Sequence, residues 1–68
     1  MANIYDKIND RMNAIQHWME GNYHLKNPEV VNEVIDSVTK FWSVMSEEDK
    51  DYIQCARIAI DEQKEWNI

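Results

Sequence analysis

The stretch Ile4–Gly21, IYDKINDRMNAIQHWMEG, decides the fold. Its apolar residues Ile4, Ile8, Met12, Ile15 and Met19 step by three or four, while Asp6, Asn9, Asp10, Asn13, His17 and Glu20 fall on the other side. That spacing is the signature of an amphipathic helix and is incompatible with the two-residue alternation of a half-buried strand. Tyr5 and Trp18 flank the apolar stripe. Gly21 and Asn22 supply the left-handed residue that commonly ends a helix, so the pattern predicts a first helix over about residues 3–20.

Further along, GNYHLKN (residues 21–27) reads as a loop whose Tyr23 and Leu25 can fold back over the end of the core. Asn27 then precedes Pro28, a favoured cap followed by the residue best suited to a first helical position. Val31, Val34, Val38, Phe41 and Met45 repeat the helical spacing, with Val30, Ile35 and Trp42 broadening the stripe, and predict a second helix over 28–45. Ser46-Glu-Glu-Asp49 resembles a capping box, with acidic residues at the positive end of the helix dipole, and predicts a third helix over 47–66 after a sharp bend at Ser46. Tyr52, Ala56, Ala59 or Ile60, and Gln63 line that helix; Ile53 lies on one edge, Cys55 and Trp66 on the other, and Ile58 falls away from the line. Trp18, Trp42 and Trp66 each sit near the end of one segment. Their neighbours share nothing else, so similar helix lengths explain the spacing better than an internal repeat does. The expectation is one all-α domain over residues 1–68, a small three-helix bundle.

A chain of 68 residues buries only roughly 60% of the surface its unfolded form exposes. Domains of this size generally depend on disulfides, a metal or association. Cys55 is the single cysteine, which excludes an intrachain disulfide and suits a reducing compartment. Association is the remaining support, and the wide apolar sector of the third helix, with its small residues, predicts a helical oligomer. Cys55, Ile58, Ala59, Trp66 and Trp18 are the candidate interface residues, tryptophan being prominent among interface hot spots.

Thirteen acidic residues against seven basic ones give a formal charge of −6. That balance repels phosphate backbones and anionic lipid and favours a basic protein surface. Glu47, Glu48, Asp49, Asp51, Asp61, Glu62 and Glu65 form the candidate acidic face. The same charges allow an alternative, an inhibitor that imitates nucleic acid to occupy a nucleic-acid-binding protein. Direct DNA reading is disfavoured, because the exposed side of the third helix offers four carboxylates (Asp51, Asp61, Glu62 and Glu65) against three cations (Lys50, Arg57 and Lys64) and its junction lacks the usual glycine. No apolar run reaches membrane-spanning length.

Catalytic and metal chemistry find little support. One glycine excludes a glycine-rich phosphate loop. His17 and Glu20 are three apart but on the polar side, and they reverse the Glu-x-x-His order of bundle metal sites. The acidic run lacks the glycine and alternating ligands of a calcium loop. His24 belongs near the C-terminal end of the first helix, where a partly charged imidazole is favourable. Cys55 among apolar helix neighbours reads as inert packing. The residues thus predict a non-enzymatic interaction protein without cofactor or metal.

The run Phe41–Tyr52, FWSVMSEEDKDY, with the closing AIDEQKEW, resembles segments of small uncharacterised helical proteins of tailed phages, particularly those infecting marine cyanobacteria. The likeness covers about the last third of the chain and brings no activity or catalytic residue with it. It implies a protein acting in a bacterial cytoplasm during infection by binding a host protein.

Overall fold

The computed structural model describes residues 3–66, with side chains through Gln63. The chain is all-α: α1 (Ile4–Glu20), α2 (Tyr23–Lys26), α3 (Pro28–Thr39) and α4 (Glu47–Trp66), with a 3-10 turn at Trp42–Val44 between the last two. No helix among the described residues is long and apolar enough to cross a membrane. The molecule is elongated, 43 × 19 × 17 Å, as expected when a 20-residue helix about 30 Å long runs its length.

Each long helix contributes one stripe to a continuous core. Ile8, Met12 and Ile15 come from α1, Val31, Ile35 and Val38 from α3, Ile53, Ala56 and Ile60 from α4, and Met45 from the turn before α4. Among the described residues no polar or charged side chain is buried. α1 packs chiefly on α3, and α3 on α4. The directions follow from contacts at the two ends: Tyr5 and Ile8 share a groove with Val44, Met45 and Asp49, whereas Gln63 reaches Leu25 at the other end. α4 therefore runs from the start of α1 towards its end, and α3 runs back between them.

The local chemistry at each helix end explains where it stops. Asn3 caps α1 by accepting the Asp6 N–H at 2.9 Å. At the other end Gly21 keeps φ −86° and its N–H bonds the His17 carbonyl at 2.9 Å; the residue with positive φ is Asn22, at 62°. A Cβ at Gly21 would lie 3.1 Å from the His17 carbonyl oxygen, a tight approach that favours glycine there although the backbone is not left-handed. Asn27 stands before Pro28 as the spacing predicts, but its side chain makes no capping bond.

Two expectations need correction. The 21–27 stretch is not merely a loop, because Tyr23–Lys26 closes one helical turn. Tyr23 tilts against Trp18 with ring centroids 5.2 Å apart. Leu25 remains exposed instead of covering the core; its carbonyl accepts a 2.7 Å bond from Gln63 Nε2, which ties α2 to α4. The larger correction concerns the second helix, which ends at Thr39 and does not reach residue 45. A helix running to 45 would leave nothing to reverse the chain before α4, and helix–helix connections generally take two to eight residues. Residues 40–45 are that connection. Ser37 and Thr39 hydroxyls bond the Val34 and Asp36 carbonyls, and Phe41, Val44 and Met45 donate to carbonyls three residues back, tightening the chain into its turn. Phe41 and Trp42 still pack on the core, but from the turn.

Polar contacts between helices are few. Arg11 of α1 donates through Nε to Ser37 Oγ of α3 at 3.0 Å, while its Nη1 donates to the Lys7 carbonyl of its own helix at 3.1 Å. Arg57 of α4 pairs with Asp36 of α3 at the surface, an exposed ion pair worth on the order of 0–1 kcal/mol. Apolar burial therefore carries the fold. Ile35, with no exposed surface, is its most direct test: Ile35→Ala is expected to cost about 2–5 kcal/mol, enough to leave much of the chain unfolded in a thermal or urea titration followed by circular dichroism. At Asn22 the backbone sets the expectation. Asn22→Ala should destabilise by roughly 1 kcal/mol while Asn22→Gly is tolerated, both read from the same denaturation curves.

Candidate functional site

The long run of α4 places its side chains in two sets. Ile53, Ala56 and Ile60 point into the core, with Tyr52, Ala59 and Gln63 half-buried beside them. On the opposite side Glu47, Asp51, Gln54, Cys55, Ile58, Asp61 and Glu62 are all exposed. Helical neighbours lie three and four positions apart, so Ile58 is surrounded on its own helix by Gln54, Cys55, Asp61 and Glu62. With 59% of its surface exposed, Ile58 is an apolar centre flanked by Gln54 and Cys55 on one side and by the carboxylates of Asp61 and Glu62 on the other.

This arrangement merges two surfaces that the sequence pattern suggests are separate. Cys55 and Ile58, expected on a small-residue interface, share a face with Asp51, Asp61 and Glu62 from the acidic set. Ala59 is turned to the flank beside Tyr52. Trp18 lies elsewhere, half-buried at the end of α1 against Tyr23 and the core. Of the acidic set, Glu47 and Glu48 are exposed at the start of α4, while Asp49 is half-buried on the side turned to α1. The side chains of Glu65 and Trp66 lie outside the described residues. Cys55 is itself a correction: it is exposed, not packed among apolar neighbours. Its position three residues beyond Tyr52 and one before Ala56 takes it off the Ile53–Ala56–Ile60 stripe, which is of ordinary width.

The electrostatics of the face are one-sided. Glu47 and Glu48 stand four and three residues before Asp51, like charges at spacings that destabilise a helix by a few tenths of a kcal/mol each. Among the described side chains, the cations of α4 lie on its flank. Lys50 pairs with Glu47 at 3.6 Å and sits 5.9 Å over the Trp42 ring, and Arg57 turns to Asp36. Ser46 starts the helix, its Oγ accepting the Asp49 N–H at 3.2 Å, which with the dipole favours acidic residues in the first turn.

The other sequence candidates do not assemble into a site. His17 and Glu20 are both exposed on α1. His24 Nδ1 lies 3.4 Å from the Trp18 carbonyl, near the C-terminal end of α1. Among the described residues no His, Cys, Asp and Glu side chains gather as a set that could hold a metal ion. One feature absent from the sequence reading is a groove where the start of α1 meets the turn before α4, bordered by Tyr5 and Val44. The missing linker between the second and third predicted helices is the signal that could have revealed it. Compared with known families, curated proteins and solved structures, the chain gives no match.

Tyr52, at the boundary between the inner and outer sides of α4, has a titration consequence. Burial raises its hydroxyl pKa above the ordinary value, and the Glu20 carboxylate adds to the rise. The folded state therefore holds this proton after the unfolded chain has begun to release it. Tyr52 contributes no penalty below about pH 10; as pH rises from there through the folded-state value, stability falls. Urea midpoints measured across that range should decline less for Tyr52→Phe than for the parent protein.

Proposed function

We propose that this protein is a non-enzymatic interaction module, a three-helix unit that binds another protein through the outer face of α4. The observation that carries the reading is Ile58, exposed at the centre of that face with Cys55 beside it and Asp51, Asp61 and Glu62 around them. An apolar centre within a polar rim is the anatomy of a protein interface. Covering Ile58 would contribute on the order of 1–2 kcal/mol, and the carboxylates would select a basic partner and speed the encounter. With the phage resemblance, the partner is a host protein in a bacterial cytoplasm.

Self-association belongs to the same proposal but to a different surface. Two copies paired through α4 would bring Asp51, Asp61 and Glu62 of each against the same charges of the other. Tyr23, Leu25 and Val30, exposed around α2 and the start of α3, offer apolar surface without that repulsion, and we place the homodimer contact there. Imitation of nucleic acid is supported less well. Its row of charges would be interrupted by Ile58, and further carboxylates are spread over the outer sides of α1 (Asp6, Asp10) and α3 (Glu29, Glu33, Asp36).

Cys55 provides the test, because it is the single cysteine of the chain and is exposed. A benzophenone maleimide attached there and irradiated in bacterial extract should crosslink a discrete protein, and Ile58→Asp should reduce that product at least fivefold. Equal crosslinking by both proteins, or none by either, would overturn the α4 reading. Sedimentation equilibrium at micromolar concentration should give a dimer for both proteins; a monomer removes self-association.

A further inference from the structure

The groove between the start of α1 and the start of α4 is a separate surface with its own chemistry. It is a shallow groove of about 340 Å³ open to solvent, with Ile8 and Met45 nearly buried beneath it and Tyr5 and Val44 along its borders. Tyr5 is 60% exposed and Val44 41%, so two large apolar side chains stand open to solvent beside an apolar base. Asp49, half-buried, brings a carboxylate to the same groove. Among the described residues that carboxylate has no ion pair and no hydrogen bond. The capping arrangement at Ser46 is one-sided: the Asp49 N–H donates to Ser46 Oγ, but the Asp49 side chain does not bond back to the Ser46 N–H. Its oxygens remain open to solvent and can accept from an incoming donor.

We propose that this groove receives an arginine side chain from a protein partner. A guanidinium needs an unengaged carboxylate for a forked pair of charge-assisted hydrogen bonds, and an aromatic face on which its plane can stack. Its three-methylene stem needs apolar walls. Asp49, Tyr5, and Val44 with Met45 supply these in turn. An anionic ligand is repelled by Asp49. A purely apolar side chain would leave the carboxylate desolvated and without a partner, a cost of a few kcal/mol. Lysine satisfies the charge but offers neither the fork nor the stacking plane. The groove lies on the side of α4 turned to α1, away from Ile58, so the inference is independent of the α4 docking face.

The experiment is a titration of the full ¹⁵N-labelled chain with N-acetyl-arginine amide, with the matched derivatives of citrulline and lysine as controls. Arginine should shift the Tyr5, Val44 and Asp49 amide resonances in a saturable way. Citrulline, which keeps shape and loses charge, and lysine, which keeps charge and loses the planar fork, should each bind at least threefold more weakly. Asp49→Asn should weaken arginine binding at least tenfold, and Tyr5→Ala at least threefold. Asn retains the shape at residue 49, and Tyr5 is largely exposed, so both variants keep the core; native amide dispersion in their spectra verifies this. Absent or non-saturating shifts, equal shifts with citrulline, or unchanged binding by Asp49→Asn would each overturn the proposal. Since Ile58→Asp leaves the groove untouched, failure here and failure of the α4 crosslink are read separately.

Discussion

Everything in this structure depends on the close packing of a few branched side chains with no polar help. Ile15, Val31, Ile35, Val38 and Ile60 expose no surface, and among the described residues no buried polar or charged side chain accompanies them. Such a core is directionless, so the order and angle of the helices must come from elsewhere. The stripes supply part of it. Connection lengths supply the rest: the bend through Gly21 and Asn22 with the single turn of α2 at one end, and the six residues 40–45 at the other. The few polar contacts between helices, Arg11 with Ser37 and Gln63 with the Leu25 carbonyl, tie neighbours that apolar burial has already brought together.

The same constraint decides where charge can go. With no buried polar or charged residue among those described, the carboxylates lie outside the core, Asp49 being half-buried at its edge, and the longest helix has the most outer positions to fill. The negative face of α4 is thus partly a consequence of composition and helix length. What composition does not require is Ile58 in the middle of that face, or Asp49 turned to a groove without a cation. These are the two places where local chemistry departs from what solubility alone would select, and both carry the functional reading.

Much of the fold was legible because helical periodicity is a strong local signal. The three apolar stripes, the ends of α1, the Pro28 start of α3 and the Ser46 start of α4 all follow from residue spacing and cap chemistry. The end of α3 did not, because Phe41, Trp42 and Met45 continue the three-and-four spacing that Val31, Ile35 and Val38 establish. Spacing records which side chains seek the core, and a 3-10 turn can satisfy the same three residues as well as a helix can. The exposure of Cys55 escapes the residue pattern for a related reason. Beside Ala56 and Ala59 it extends an apolar sector on paper, yet the position of the buried stripe depends on which of Ala59 and Ile60 points inward, and Ile60 does. The groove joins residues some forty positions apart, and only the absence of a linker between the second and third apolar stripes points to it.

The order of contacts along the chain has a consequence for kinetics. α1 packs on α2 and α3, α2 on α3, and α3 on α4, so most of the association is between segments that adjoin or nearly adjoin in sequence. Closing such short loops costs little entropy, and helical domains with this topology fold in microseconds to milliseconds. A domain with so small a core will open often, but each opening is brief. Persistence of the native surface therefore rests on the speed of refolding as much as on the depth of the energy minimum. A partner that waits longer than a few milliseconds for its contact meets the folded chain many times over.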